Sequence, residues 1–463
     1  MTRSTLLLTA VCVIAALAAW LMPMPQDMSW WLWRGTAVGL LLVLVLIADA
    51  PGDGSGRAVP LVMEPLTLIG LLALLLFSLL PALAASLFYG GPVSLDYTAG
   101  PEDIRRYIGF ELGRQTTVRA VASPAEWLVL RFVFLTLALT TVMNSLSFSR
   151  KSTVQARIPS ALVLCLLSCA VPFAARWNGL ALVDVLPVEA APLLPLLPIA
   201  ATTSLAVLAL AARQGSRAAL TALATAIAMC LVSFLGFNGK SVGIEIVACI
   251  LLIAVGLRSR RWRLGLAALA LAMPVLLSVG INLSRNGIAV LTAPTSNAAI
   301  IAEAKLVFRQ ADTLYCLAFA LDRHGETSSP QGDAAYFLRA LVPRVLWPEK
   351  PSLSNGGEYA YTYCGWNKEE ALSSRHSAAV TLLGEPLIQA GTVGLGLALL
   401  TIMAMLCGTS LAIRHGGWVT AATLGTLPWL VDFDQSFAMW LANVVKLGLV
   451  SMILAWFLTR RGT

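Results

Sequence analysis

The sequence predicts an all-α polytopic membrane protein with about twelve transmembrane helices. Of its 463 residues, 58% are hydrophobic and 12% are charged, and the mean hydropathy is +0.80. A soluble domain carries about 25% charged residues, so this chain has roughly half the usual solvating charge. Apolar runs of about 18–24 residues, the length of a helix that crosses a bilayer, recur along most of the sequence.

Each apolar run is interpreted as one membrane-spanning helix. No small-residue cleavage site follows Met22, and a second run begins soon afterwards, so the first run is interpreted as an uncleaved helix rather than a signal peptide. Internal prolines such as Pro195 and Pro198 are tolerated because neighbouring helices satisfy the freed backbone groups. The predicted spans cover residues 5–22, 31–49, 65–88, 127–147, 158–175, 192–212, 218–237, 241–257, 264–282, 390–413, 418–431 and 436–458.

The basic residues predict the orientation. A net charge of +8 is compatible with a nucleic-acid partner, but the cations lie in short clusters at the ends of apolar runs, as membrane orientation requires. Placing the N-terminus in the cytoplasm puts most of these clusters inside, whereas the short outer loops hold only Arg34, Arg176 and Lys240. The cytoplasmic set is Arg3, Arg57, Arg150, Lys151, Arg157, Arg213, Arg217, Arg258, Arg260, Arg261, Arg263, Arg414, Arg460 and Arg461. Both termini are therefore expected in the cytoplasm of a bacterial inner-membrane protein.

This orientation divides the chain into three regions. Residues 1–282 hold helices 1–9 with an outer loop at 89–126, residues 283–389 form a large periplasmic loop, and residues 390–463 hold helices 10–12. Loops of such length without function are uncommon. The large loop is expected to be partly helical, with an apolar stripe over Ile300–Leu321 and a short helix over Asp333–Val342.

The eight cysteines do not suggest a metal site from their spacing. Six lie inside predicted spans, where a cysteine usually acts as a small hydrophobe. Cys316 and Cys364 both fall in the large loop, where an oxidising compartment would allow a disulfide between them. Whether they form one is left open by the sequence, and no metal or cofactor is expected.

The large loop carries a dense group of charged residues that suits a phosphorylated lipid substrate. Arg344, Lys350 and Arg375 would attract a diphosphate, and arginine offers a bidentate fork for phosphate oxygens. His376 or Glu385 could take a proton from a sugar hydroxyl. The alternatives are contact with anionic lipid for the cations and a satisfied interfacial position for His376.

Charged residues within the spans are the second informative group. Buried membrane charges are rare, usually pair, and often mark function. Lys240 lies at the outer end of the eighth span, Glu245 lies deeper in it, Arg131 enters the fourth span and Lys446 lies in the last. Structural pairing, for example of Lys446 with Glu245, is the alternative to a functional role.

Several of these segments resemble the Wzy-type oligosaccharide repeat-unit polymerases, which include O-antigen and exopolysaccharide polymerases. The resemblance rests on Pro343-Arg344-Val345-Leu346-Trp347-Pro348 with Lys350-Pro351, and on Thr381-Leu382-Leu383-Gly384-Glu385 before Gly391, Gly394 and Gly396. Asn238-Gly239-Lys240-Ser241 is similar to a short Gly-Ser-Arg type motif of that family, with lysine in place of arginine. The resemblance covers roughly the C-terminal half and the overall topology.

The resemblance implies a GT-C-like membrane glycosyltransferase. The growing glycan would move from undecaprenyl diphosphate onto the non-reducing end of an incoming lipid-linked repeat unit. Lys240, Arg344 and Arg375 would bind the diphosphate, with Arg375 at the reacting centre, and His376 or Glu385 would activate the acceptor. Trp347, Tyr359 and Glu358 would bind the sugars, although anchoring the loop at the interface is an alternative role for the aromatic residues.

The implied partners are an undecaprenyl-diphosphate-linked oligosaccharide and membrane lipid, with a chain-length co-polymerase as a candidate and no nucleic acid. Two other functions remain open. An O-antigen ligase would transfer finished glycan to another acceptor, and a lipid-linked oligosaccharide flippase or other transporter would move its substrate without forming a bond. The long outer loop favours an enzyme, whereas Glu245, Lys446 and Arg131 are the residues that favour a transporter.

Overall fold

The computed structural model shows an all-α membrane protein. It describes residues 3–23, 29–48, 61–79, 124–144, 155–177, 196–234, 239–256 and 381–460, with residue 194 and short pieces between residues 314 and 363. The fold below refers to these residues. The predicted ninth span at 264–282 lies outside them, and so does the predicted outer loop at 89–126 except for residues 124–126, which begin α4.

The described helices overlap the other predicted spans. Apolar runs form helices in a membrane because only a helix satisfies every backbone group within one segment. The helices are α1 (Arg3–Leu21), α2 (Ser29–Ala48), α3 (Pro65–Leu74, continued by a π-turn over Leu75–Leu79), α4 (Pro124–Asn144), α5 (Ile158–Trp177), α6 (Leu196–Arg213), α7 (Arg217–Phe234), α8 (Gly239–Gly256), α9 (Thr381–Arg414), α10 (Gly417–Leu430) and α11 (Phe437–Leu458). Five of them, α4, α5, α6, α9 and α11, are long and apolar enough to cross a membrane.

Helix α6 packs against five other helices, α5, α7, α8, α10 and α11. Most of its residues, from Pro198 to Ala211, are buried. Small and hydroxyl-bearing residues allow this close packing, as is usual between membrane helices. The Thr202 hydroxyl donates to the Gly425 carbonyl of α10 at 2.8 Å, and the Thr203 and Ser451 hydroxyls are 2.8 Å apart.

Polar contacts join the helix ends that the orientation assigns to the outer side. Arg131, in α4, donates to the carbonyls of Ala19 and Met22 at the end of α1, at 2.9 and 3.1 Å. Arg34, near the start of α2, forms a bidentate pair with Glu126, with both N–O distances 2.8 Å. The Ser78 hydroxyl at the end of α3 also donates to Glu126, at 2.7 Å.

A second set of contacts joins ends assigned to the cytoplasmic side. Arg414, the last residue of α9, makes a bidentate pair with Glu64 before α3, at 2.8 and 2.6 Å, and donates to the Met143 carbonyl of α4. Two short strands, β1 (Gln155–Ala156) and β2 (Thr459–Arg460), pair antiparallel. This pairing ties the start of α5 to the end of α11.

Helix α9 is broken near its start. Ala390 and Gly391 have non-helical backbone angles, and Gly391 has φ of 60°, which glycine adopts without steric cost. The break separates a short segment, residues 381–389, from the long apolar part that follows. The sequence predicted a span beginning at residue 390, and the long part begins where the glycines indicated.

Candidate functional site

The segment 381–389 is a short buried helical segment at the end of the predicted large loop. Every residue from Thr381 to Gln389 is buried. Its start is held by the Thr381 hydroxyl oxygen, which accepts hydrogen bonds from the backbone N–H groups of Leu383 and Gly384, each at 3.3 Å. Leu382 N–H donates to the Phe433 carbonyl at 3.2 Å, which fixes the segment against the turn between α10 and α11.

Glu385 lies at the centre of this segment and is 1% exposed. One carboxylate oxygen accepts the backbone N–H of Ala438 at 2.7 Å, in the first turn of α11. A carboxylate is well placed there because the first N–H groups of a helix lack intrahelical partners and carry partial positive charge. The other oxygen accepts from the Tyr359 hydroxyl at 3.5 Å, the long limit of a hydrogen bond.

Gln389 completes what we call the Glu385 cluster, which consists of Glu385, Tyr359 and Gln389. Its side-chain amide N–H donates to the Tyr359 hydroxyl at 3.1 Å. Its carbonyl oxygen is buried and has no hydrogen-bond partner among the residues that the structure describes. A buried acceptor left without a donor costs free energy, so this atom is suited to a hydroxyl supplied by a ligand. The sequence reasoning did not select Gln389, although its spacing of four residues from Glu385 places both on one helix face.

Pieces of the predicted loop pack directly on this segment. Cys316, Ala320, Tyr359 and Tyr363 form a small apolar cluster with Leu387 and Ile388. Cys316 is disulfide-bonded, and its expected partner, Cys364, lies outside the described residues. The loop therefore contacts α9 at the same turn that carries Glu385.

A second loop piece packs against α11. Ala340 contacts Ala438 and Ala442, and the Lys446 ammonium donates to the Ala340 carbonyl at 2.8 Å. Lys446, within the last span, thus contacts a loop piece, and the pairing of Lys446 with Glu245 considered from the sequence is not observed. Residues 340–342 are the last described positions before Pro343-Arg344.

The turn between α10 and α11 adds further polar groups. Asp432 and Asp434 are buried. The Gln435 side-chain amide donates to the Asp432 carboxylate at 2.6 Å, and the Asn443 side-chain amide on α11 donates to the side-chain oxygen of Gln435 at 3.3 Å. The Glu385 cluster is thus adjacent, through Phe433 and Ala438, to a second set of hydrogen-bonded side chains.

The structure describes only some of the other predicted site residues. Trp347 is 36% exposed and therefore accessible. Lys240 is the second residue of α8, but nothing further is described of its side chain. Four predicted residues, Arg344, Glu358, Arg375 and His376, lie outside the described residues. Of the predicted set, the structure brings together Glu385 and Tyr359.

Two charged residues within spans have specific environments. Arg131 is used to cap the end of α1 and lies over the rings of Trp20 and Trp127, 5.5 and 5.3 Å from the ring centres. Glu245 is 1% exposed. One of its oxygens accepts a hydrogen bond from the Cys249 thiol at 3.7 Å, and the other has no partner in the described part of the chain.

One group of side chains in the described part of the chain could hold a metal ion. Cys165 and Cys169 of α5 and Cys230 of α7 place their sulfur atoms within 4.8 Å of one another. This group lies away from the Glu385 cluster in sequence and belongs to different helices. Nothing along the chain indicated that Cys230 of α7 meets the two cysteines of α5.

The Glu385 cluster offers a carboxylate, a phenol and an amide acceptor in a region closed to solvent. Such a set can orient a hydroxyl by hydrogen bonds and, with the carboxylate, accept its proton. Comparison with known proteins adds no relative: no family model matches the chain, and no curated protein or solved structure is significantly similar.

Proposed function

We propose that this protein is a membrane polysaccharide polymerase of the bacterial inner membrane. It would join undecaprenyl-diphosphate-linked oligosaccharide repeat units by transferring the growing glycan onto the non-reducing end of an incoming lipid-linked unit. The proposal includes twelve spans, a GT-C-like arrangement, cytoplasmic termini and a periplasmic loop between helices 9 and 10. It rests on the sequence resemblance and on one observation in the structure.

That observation is the buried Glu385 beside Tyr359 and Gln389. The cluster joins the end of the large loop, an earlier piece of the same loop and the start of α11. Loops are where catalytic residues concentrate when a rigid scaffold positions them. The break at Ala390 and Gly391 sets this segment off from the long apolar part of α9, which supports a site at the membrane surface.

The proposed reaction fits these groups. The acceptor hydroxyl would form a bond to the anomeric carbon of the donor glycan while the bond from that carbon to the lipid diphosphate breaks. Glu385 or His376 would take the hydroxyl proton, and Gln389 would orient the acceptor through its unpartnered carbonyl oxygen. Arg344, Arg375 and Lys240 would stabilise the negative charge on the departing diphosphate. Neither a nucleotide sugar nor a metal is needed for this chemistry.

The contacts between helix ends support the proposed orientation. Arg131, Arg34 and Arg414 each bind the end of another helix. In every case, the alternation of the predicted spans places the two helix ends on the same side of the membrane. The β1–β2 pair does the same for Arg157 and Arg460. If one span among these elements had been missed, the predicted orientation would place some of these contacting helix ends on opposite sides of the membrane. The disulfide at Cys316 agrees with a loop in an oxidising compartment.

The contacts of two charged residues weaken the transporter alternative. Arg131 and Lys446 bind backbone carbonyls of neighbouring segments, which are structural uses of charge. Glu245 is the remaining candidate for a residue on a transport pathway. It lies on α8, and none of the hydrogen bonds described for the Glu385 cluster involves it.

The test is reconstitution with a defined substrate. Purified protein in detergent is given a synthetic undecaprenyl-diphosphate-linked repeat unit, and products are followed by length. We expect a ladder of products that Arg375→Ala and Arg344→Ala abolish. Arg217→Ala is the matched control, because Arg217 is exposed at the predicted cytoplasmic end of α7 and should leave the ladder unchanged.

The same assay separates the alternatives. A single transfer to a different acceptor, with no ladder, would indicate a ligase. Movement of the lipid-linked unit across reconstituted vesicles without any new glycosidic bond would contradict the enzyme proposal.

A further inference from the structure

Three buried cysteine sulfur atoms lie close together between α5 and α7. Cys165 and Cys169 are one helical turn apart on α5, and Cys230 faces both from α7. The sulfur of Cys230 is 3.6 Å from that of Cys165 and 3.7 Å from that of Cys169. All three side chains are fully buried.

These distances suit a shared metal ion. Thiolate ligands bind zinc at about 2.3 Å, and two such ligands at a tetrahedral angle are about 3.8 Å apart. The two separations from the Cys230 sulfur, 3.6 and 3.7 Å, are close to that value. The spacing of four residues on α5 aims both sulfurs the same way, as it does for paired ligands on a helix.

A second observation points to an anionic sulfur centre. Ser233, one turn beyond Cys230 on α7, is fully buried, and among the described residues its hydroxyl has no hydrogen bond of ordinary length and angle. This side chain lies beside Cys169. Metal-bound thiolates are commonly stabilised by hydrogen-bond donors from neighbouring groups, and the Ser233 hydroxyl is such a donor, placed beside Cys169.

We infer that Cys165, Cys169 and Cys230 form a binding site for a thiophilic divalent cation of the Zn²⁺ type, with Ser233 as a supporting hydrogen-bond donor. Binding converts three thiols into thiolates and releases three protons. A divalent ion then leaves one net negative charge, whereas Cu⁺ on three thiolates would leave two. Because charge within a membrane is costly, the divalent ion is favoured. The bound ion would tie α5 to α7.

The test uses Cd²⁺ as the probe because its bonds to sulfur absorb in the ultraviolet. The full-length protein is solubilised and purified in the presence of Cd²⁺, since the buried sulfurs are reached when the helices open or assemble. Free ion is then removed. We expect one tightly bound Cd²⁺ per chain, a sulfur-to-metal charge-transfer band, and displacement by Zn²⁺.

Single substitutions locate the site. Cys165→Ser, Cys169→Ser and Cys230→Ser should each lower the affinity at least 100-fold, and Ser233→Ala, which removes no ligand, should lower it about 10-fold. The matched controls are Cys12→Ser on α1 and Cys407→Ser on α9, which remove free thiols elsewhere. Gel filtration and thermal unfolding without metal show that each variant is folded.

Three results would overturn the inference. One is wild-type protein that binds no Cd²⁺ while alkylation after denaturation counts all three thiols as reduced. Another is a disulfide between Cys230 and a cysteine of α5 in protein purified without reductant. The last is a loss of Cd²⁺ binding in Cys12→Ser and Cys407→Ser that equals the loss in the three site variants. None of these measurements depends on glycan transfer, so the site and the proposed function fail or stand separately.

Discussion

The carboxylate of Glu385 accepts a hydrogen bond from the backbone N–H of Ala438, 2.7 Å away, in the first turn of α11. This contact joins the buried segment 381–389 to the last helix. The same carboxylate accepts from the Tyr359 hydroxyl of the loop. Glu385 therefore has a structural contact on one oxygen and a candidate chemical role on the other, and substitutions can separate the two.

Glu385→Gln should keep the fold and lose transfer activity if Glu385 is the base. An amide oxygen can still accept the Ala438 N–H, so we expect a loss of unfolding free energy below about 1 kcal/mol. The amide cannot take a proton, and a general base contributes about 100- to 10,000-fold in rate. Thermal unfolding in detergent and product ladders measure the two effects.

Glu385→Ala is the comparison for the structural contact. It leaves the Ala438 N–H without its acceptor and should cost about 1–3 kcal/mol. If Glu385→Gln transfers glycan at the wild-type rate, His376 becomes the candidate base and Glu385 is a structural residue only.

Arg414→Ala should strongly destabilise the protein. The substitution removes the bidentate partner of Glu64, which is 1% exposed, and it removes the donor to the Met143 carbonyl. Breaking one partner of a buried ion pair costs about 3–5 kcal/mol. The measurement is thermal unfolding in detergent, with Arg217→Ala as a control that removes an exposed arginine. Equal stability of the two variants would show that the Glu64 contact contributes little.

Gly425→Ala should weaken the contact between α6 and α10. An added Cβ would lie 2.7 Å from both the Cα and the hydroxyl oxygen of Thr203 and 2.9 Å from the Ser451 hydroxyl oxygen. Since the nearest atoms include backbone, the helices must shift, at a cost of about 1–3 kcal/mol. Gly408→Ala is the control, because its Cβ meets nothing within 4 Å. Equal melting temperatures for the two variants would contradict the packing described here.

Cysteine accessibility should place the two sides of the chain in opposite compartments. In a background that lacks reactive native thiols, Trp347→Cys should react with a membrane-impermeant maleimide in intact cells. Gln214→Cys, exposed between α6 and α7, should react only after the membrane is opened. The side chains of Trp347 and Gln214 are both exposed, so the reactivity of each introduced cysteine reports its side of the membrane. The reverse pattern would place the large loop in the cytoplasm and remove the proposed function.

Much of the helical architecture could be predicted from the sequence. Leu-, Ala- and Val-rich runs bounded by arginine or lysine identify helices because an apolar segment in lipid must satisfy its own backbone groups. The start of the long part of α9 was also predicted, since Gly391, Gly394 and Gly396 follow a polar segment. These features are local, so they can be read without knowing what each helix contacts.

The partners of the buried polar residues could not be predicted. Arg414 was interpreted as a cytoplasmic charge, yet it pairs with Glu64, which lies 350 residues away along the chain. Arg131 and Lys446 looked like pathway residues, and both bind backbone carbonyls. A hydrogen bond forms between atoms about 3 Å apart, and sequence separation gives no measure of that distance.

The sequence by itself determined that this is a helical membrane protein, because composition and run length depend only on the transfer of side chains from water to lipid. It also singled out Glu385 and Tyr359 as candidates. Only the tertiary structure decided that these two side chains meet, that Gln389 joins them with an unpartnered acceptor, and that Cys230 meets Cys165 and Cys169. Such groupings depend on which faces of separate helices pack together, and that is set by the whole bundle.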